Sequence, residues 1–126
     1  MSEVKADTGL SFKEMCAKFD VTPRTLRYYE YIELLKPEKQ GRSRFYNQRE
    51  VARMTLILRG RRFGFSLEEI RQWLDMYESD DNRAQLETWI ERADRQLDEL
   101  ARQRREIDES IADLRRLRDE TAGSLK

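Results

Sequence analysis

Between Asn82 and Thr121 the chain carries no proline and no glycine, and glycine returns only at Gly123. This stretch constrains the fold more than any other feature, because nothing in it breaks a helix. Its apolar residues Leu86, Ile90, Ala93, Leu97, Leu100, Ile107, Ile111 and Leu114 recur at steps alternating between four and three, except where Arg104 takes a seam position. About 40 residues at 1.5 Å each make a helix of about 60 Å, and a stripe of this period calls for a partner helix. A single helix with its stripe uncovered is unstable, so the simplest partner is a second copy of the chain. The alternative is folding back onto the preceding domain. Arg104, near the middle, would set register or orientation at a cost in stability.

A chain of 126 residues has room for one small core beside such a helix. Charged residues make up 40% of the chain, as expected where a long helix exposes most of its surface. No run approaches the roughly 18 apolar residues needed to span a membrane, and the N-terminus lacks an apolar signal region. A soluble, cytoplasmic protein without a membrane partner is the expectation. The net charge of zero hides a division: residues 1–76 hold 15 Lys/Arg against 11 Asp/Glu, and residues 77–126 hold 10 against 14. Within 22–62 the count is 11 against 4. A basic segment joined to an acidic one points to a polyanion that meets only the first part, the alternative being chance segregation of charge.

The single cysteine excludes an intramolecular disulfide, and the absence of histidine argues against a conventional zinc site and against any His-dependent catalytic arrangement. No catalytic residue and no metal ligand is therefore assigned. Cys16 lies among Phe12, Met15 and Phe19 and reads as a buried structural thiol in preference to a reactive one.

Four helix starts follow from one piece of chemistry. Ser11, Thr22, Asn47 and Ser66 each offer a side-chain oxygen to the amides of a first turn. Glu14, Glu50 and Glu69 stand where capping boxes need them, and Pro23 follows Thr22 where a missing amide costs nothing. Leu10 with Met15, Val21 with Leu26, Tyr46 with Val51 and Phe65 with Ile70 have the spacing of hydrophobic staples. The spacing predicts helices near 12–19, 23–30, 48–62 and 67–77. The first two are separated only by Asp20, Val21 and Thr22, with Asp20 tolerating a left-handed backbone, and so form a helix-turn-helix. Residues 34–46, with Gly41 at a polar tip, predict a small hairpin, a wing.

On the second helix, Leu26 and Tyr29 fall on one face and pack inward, leaving Arg24, Thr25 and Tyr28 outward with Arg27 beside them. Guanidinium, hydroxyl and aromatic groups on such a helix suit base edges and phosphates in a major groove. The wing adds Lys36, Lys39, Arg42 and Arg44, extending positive charge toward the flanking backbone or minor groove. Thr22, Tyr46, Arg49 and Arg53 complete the expected DNA-facing set. Arg59, Arg61 and Arg62 serve either phosphates or the C-terminus of the third helix.

The stretches 21–30 (VTPRTLRYYE), 34–37 (LLKP), 44–46 (RFY) and 64–70 (GFSLEEI), in this order and followed by a long helix, resemble the MerR family of bacterial transcription regulators. The resemblance covers about residues 10–120. It implies a mainly α chain: a disordered tail over 1–9, a winged helix-turn-helix domain over 10–78, a coiled-coil dimerisation helix over 79–121 and a tail over 122–126. It further implies an antiparallel dimeric coiled coil, a homodimer on a near-palindromic operator in double-stranded DNA, distortion of promoters with poorly aligned −10 and −35 elements, and RNA polymerase as a partner at the promoter. Glu33 stands where the family usually places glycine, and 41–44 (GRSR) replaces the usual wing pattern while keeping Arg44. The cysteine ligands of metal- and redox-sensing members are absent from the long helix, and no separate drug-binding domain is expected after it. The stretches 18–22 (KFDVT) and 56–65 (LILRGRRFGF) are similar to the subgroup controlling leucine, branched-chain and acyclic-isoprenoid acid breakdown. That likeness implies no bound cofactor but a small-molecule effector such as an acyl-CoA. The competing expectation is an architectural or adaptor protein that recruits a partner through its coiled coil. An enzyme is not expected.

Overall fold

The computed structural model describes residues 9–78 and 83–126. The greater part of the expected tail over 1–9 and the expected helix start at Asn82 lie outside the described residues. The chain divides into two compact units, 1–80 and 81–126. The first contains β1 (Leu10–Ser11), α1 (Phe12–Phe19), α2 (Pro23–Tyr31), β2 (Glu38–Gln40), β3 (Ser43–Tyr46), α3 (Gln48–Phe63) and α4 (Leu67–Tyr77). The second is the single helix α5 (Arg83–Ser124).

The caps act largely as their chemistry demands. Ser11 and Ser66 form complete capping boxes with Glu14 and Glu69, and Thr22 accepts from the Thr25 amide with Pro23 in the first turn. The third box is incomplete. Asn47 accepts from the Glu50 amide, but the Glu50 carboxylate turns inward, where it is 2% exposed, and accepts from Lys36 N at 2.7 Å and from Arg49 Nη1 at 2.9 Å. The amide of Lys36 and the guanidinium of Arg49 compete successfully for an oxygen that a capping box would have used locally.

Three helix ends close in one way. Asp20, Glu33 and Gly64 take φ of 52°, 63° and 94°. The next residue in each case donates its amide five residues back: Val21 to Cys16, Leu34 to Tyr29, Phe65 to Gly60. This satisfies carbonyls that the helix leaves open. Glu33 thus adopts the conformation that glycine would hold without strain.

The wing holds one strand more than the hairpin expected. β3 pairs antiparallel with β2 on one side and with β1 on the other, in the order β1-β3-β2. The registers are Lys39 with Arg44, Glu38 with Phe45 and Leu10 with Tyr46. Gly41 at the tip takes φ +63°, as two-residue hairpin loops with a leading glycine do. Gly9 is fixed by contact: a Cβ there would stand 1.7 Å from the Tyr46 carbonyl oxygen. The core gathers Met15, Leu26, Tyr29, Leu34, Leu35, Tyr46, Met54, Ile57, Phe65, Ile70 and Leu74. All four staples contribute to it, with Leu10, Val21 and Val51 packed at its edge.

The long helix starts at Arg83 and runs through Ser124, so 122–124 continue the helix and are not a tail. Gly123 in the last turn does not stop it. At 1.5 Å per residue its 42 residues span about 63 Å. No residue of α5 is fully buried. Ion pairs one turn apart support it locally: Arg102 joins Glu99 and Glu106, and Arg116 joins Asp113. The hydrogen bonds from Arg102 and Gln103 hold the Glu99 carboxyl down to about 2. No described helix is long and apolar enough to cross a membrane.

Two substitutions should change stability in opposite directions. Gly9→Ala forces a side chain into the Tyr46 carbonyl and should cost about 2–4 kcal/mol, whereas Glu33→Gly relieves a left-handed residue and should add about 0.5–1 kcal/mol. Urea denaturation midpoints measure both.

Candidate nucleic-acid interface

The rotation of α2 is set by its inward residues. Leu26 and Tyr29 are buried, so Arg24, Arg27 and Tyr28 stand exposed and Thr25 partly so. Arg24, Thr25, Arg27, Tyr28 and Tyr31 line one hollow with Arg61 at the end of α3 and Leu67 at the start of α4. Arg61 therefore sits both in the last turn of its own helix and beside the outward face of α2. Thr22 and Thr25 are first committed to each other: the Thr22 hydroxyl donates to Thr25 Oγ1 at 3.0 Å and accepts from Thr25 N at 3.1 Å.

Wing and α2 meet over one aromatic ring. The guanidinium carbons of Arg27 and Arg44 lie 5.4 and 5.6 Å from the Phe12 ring centroid, a cation–π arrangement that draws both arginines to one spot. Behind them stands Glu30, whose Oε1 is 3.6 Å from Arg44 Nη1 and whose Oε2 accepts the hydroxyl hydrogen of Tyr46. Burial raises the Glu30 carboxyl above the usual range, partly offset by Arg44, Lys39 and Arg27. Lys39 and Arg44 are direct cross-strand partners and share one face of the wing. Lys36, Lys39 and Arg42 are exposed and Arg44 is half-buried.

Two members of the expected DNA-facing set are corrected. Tyr46 is fully buried; it lies two residues from Arg44 on the face of β3 that covers α1 and α2, and its hydroxyl is committed to Glu30. Arg53 is turned inward, its side chain 13% exposed. Its Nε donates to the Leu34 carbonyl at 3.1 Å and its Nη1 lies 2.6 Å from Glu78 Oε1. Together with Arg71, which donates to the Ile32 carbonyl, it closes the backbone beyond α2. Arg49 stays exposed but bridges Glu50 and Glu78. Phe12 and Glu30 are the residues that sequence reasoning did not assign to this surface, and Arg61, left there between phosphates and the helix C-terminus, lines the hollow beside α2. Glu30 was detectable as one of four acids in a segment of eleven bases.

Cys16 is half-buried, and burial pushes its thiol up, with Arg27 pulling the other way. That suits a structural thiol, because the reactive form is the thiolate. Among the described residues no group of three or more His, Cys, Asp or Glu is placed to hold a metal ion.

Along α5 the expected seam residues Leu86, Ile90, Leu97, Leu100, Ile107, Ile111 and Leu114 are all exposed, Leu97 to 63% and Leu114 to 67%; Ala93 is half-buried. Leu117, one step of three beyond Leu114, adds an exposed apolar residue that the alternation of steps passes over. A shallow groove lined by Gln103, Glu106, Ile107, Ser110, Ile111 and Leu114 follows the seam.

Residues 10–77 match the family model described as MerR HTH family regulatory protein, and residues 51–117 match the one described as MerR, DNA binding. An HTH-type transcriptional regulator of Pseudomonas aeruginosa is 34% identical over 87% of this chain and 78% of its own length. The HTH-type transcriptional regulator HmrR of Rhizobium leguminosarum is 32% identical over 81% of this chain and 84% of its own. Among solved structures, a MerR family transcriptional regulator from Bacillus cereus superposes with a TM-score of 0.66 at 27% identity, covering 82% of this chain and 75% of the other.

The raised Glu30 carboxyl has a direct consequence for stability. Its contribution is fully present below the ordinary glutamate range and is lost as pH rises through the raised folded value. Glu30→Gln, which mimics the protonated form, should therefore remove that part of the pH dependence. Unfolding midpoints of both proteins across pH 4–8 should converge at the acid end, with the variant no less stable at neutral pH.

Proposed function

The chain belongs to the MerR family of DNA-binding transcriptional regulators, and on that premise we propose that it acts as a homodimer, joined through α5, on a near-palindromic promoter operator. The observation that carries this reading is the outward face of α2. Arg24, Arg27 and Tyr28 are exposed there beside Arg61, and the wing bases Lys39 and Arg42 stand exposed in the same unit. Side chains of this kind on a recognition helix read base edges, while the wing bases take phosphates. We assign Thr22, Arg24, Thr25, Arg27, Tyr28, Lys36, Lys39, Arg42, Arg44 and Arg49 to the DNA surface and add Arg61.

The dimer rests on the seam. A helix of 42 residues with no buried residue and seven exposed seam side chains retains little stability alone, and a second copy supplies the matching stripe in an antiparallel coiled coil. The pair then presents two recognition helices to two half-sites. Distortion of the duplex between −10 and −35 elements, with RNA polymerase as the partner that senses it, follows as the mode of regulation, since a deformed duplex is read through its deformability. The stretches 18–22 and 56–65 support the subgroup that controls leucine, branched-chain and isoprenoid acid breakdown, with an acyl-CoA as effector. Such a regulator works in the cytoplasm.

Selection of duplexes from a random library should return an inverted repeat bound roughly 1,000-fold or more tightly than random DNA at physiological salt. Equal affinity for both would sink the operator reading. Leu97→Asp places a charge in the seam and should give monomers in sedimentation together with loss of tight binding, because one half-site alone is weak. A wild-type monomer that dimerises only with a different protein would favour the adaptor reading. Arg27→Ala and Arg44→Ala should each weaken operator binding by about 1–3 kcal/mol if the contact is bidentate to a base, and should reduce the salt slope if it is to phosphate.

A further inference from the structure

We infer that Glu30 is a positioning residue of the DNA-binding surface: its carboxylate ties the wing, through Arg44 and Tyr46, to the recognition helix, so that Arg27 and Arg44 meet the duplex in one fixed relation. The inference rests on the operator reading above and assigns a function to the carboxylate of α2 that pairs with the wing arginine Arg44.

An acid at this place is otherwise unfavourable. It lies in α2, the helix that carries Arg24, Arg27 and Tyr28, and a negative charge close to phosphates weakens binding by simple repulsion. Its surroundings show what offsets that cost. One oxygen takes the hydroxyl of Tyr46, a residue fully buried in the core and held in register against Leu10 of β1. The other oxygen faces Arg44 Nη1 at 3.6 Å. The chain of constraint therefore runs from the core to Tyr46, from Tyr46 to Glu30, and from Glu30 to Arg44.

Phe12 completes the arrangement by taking the guanidinium groups of Arg27 and Arg44 near one ring. Without the carboxylate, two like charges drawn to one ring would repel, and the wing arginine, on a flexible stem, would be the one to leave. The groups that face Glu30 are Arg44 and Tyr46 of β3, Lys39 of β2, Arg27 of its own helix and the Cys16 thiol of α1. Burial raises the Glu30 carboxyl, so keeping it ionised costs stability. A charge retained against both stability and long-range electrostatics is accounted for by the order it imposes on Arg44.

The test uses the full chain and the duplex that the wild-type protein itself selects from a random library. Glu30→Gln keeps an oxygen for Tyr46 and removes the charge that holds Arg44. Charge repulsion alone predicts tighter binding by the variant. Positioning predicts binding about tenfold weaker, with an unchanged or higher thermal midpoint at pH 7. It also predicts that the double variant Glu30→Gln, Arg44→Ala binds about as well as Arg44→Ala alone, because contacting residues that act together are not additive. Unchanged or tighter binding by Glu30→Gln overturns the inference, as does an additive double variant. Should Glu30→Gln fail to fold, Tyr46→Phe takes its place under the same criteria, since it frees the carboxylate from its anchor. A wild-type protein with no preference for any selected duplex would instead overturn the operator reading.

Discussion

The DNA-binding unit is organised around the burial of Tyr46. A tyrosine can be fully enclosed only if its ring finds apolar neighbours and its hydroxyl finds a partner, and meeting both conditions ties together elements that are distant in sequence. The backbone of Tyr46 pairs with Leu10, which brings β1 to the wing and leaves no room for a side chain on Gly9. Its ring joins the core cluster, with Val51 of α3 packed at the edge of that cluster. Its hydroxyl reaches Glu30 near the end of α2. The wing, the recognition helix and the third helix are thus held through one side chain.

A second polar network secures the other side of the same unit. Glu50, almost fully buried, accepts from Lys36 N where the chain enters the wing and from Arg49 on its own helix. Arg49 and Arg53 both reach Glu78, while Arg53 and Arg71 close the carbonyls of Leu34 and Ile32. Buried charge of this kind adds little net stability, because desolvation offsets much of the attraction. Its effect is geometric, since a carboxylate with two defined donors and a guanidinium with two defined acceptors admit few other arrangements of the turn after α2.

What was legible in the sequence is what depends on neighbours along the chain. Helix starts at Ser11, Thr22, Asn47 and Ser66, the left-handed turn at Asp20 and the period of the long helix all follow from residues within a few positions of one another. The two-residue strand β1 was not legible, because Leu10–Ser11 carries no alternation and exists only through its partner β3. The misplacement of Tyr46 and Arg53 has the same origin: both carry polar groups suited to DNA, and only the tertiary arrangement shows that Glu30 in one case and Leu34 with Glu78 in the other already occupy them. Glu50 departs from its capping box for this reason too. A local rule yields where a distant donor is better placed.

Those reassignments change what the charge of the basic segment means. Counted along the chain, residues 22–62 hold eleven bases against four acids, and such a count treats all eleven as open to a polyanion. In the fold, Arg53 is turned inward, Arg49 is bridged to two carboxylates and Arg44 is held by Glu30. The exposed bases close to α2 and the wing tip, Arg24, Arg27, Lys39, Arg42 and Arg61, form a smaller and more ordered set. Nonspecific attraction scales with the number of phosphates neutralised, so turning Arg53 into the framework and pairing Arg44 and Arg49 with carboxylates lowers affinity for any duplex while fixing where the surface arginines stand. Such a trade favours discrimination over strength in a single unit. The proposed pairing of two chains along the exposed seam of α5 is consistent with that balance, since joining two units on one stretch of DNA would restore strength without new contacts.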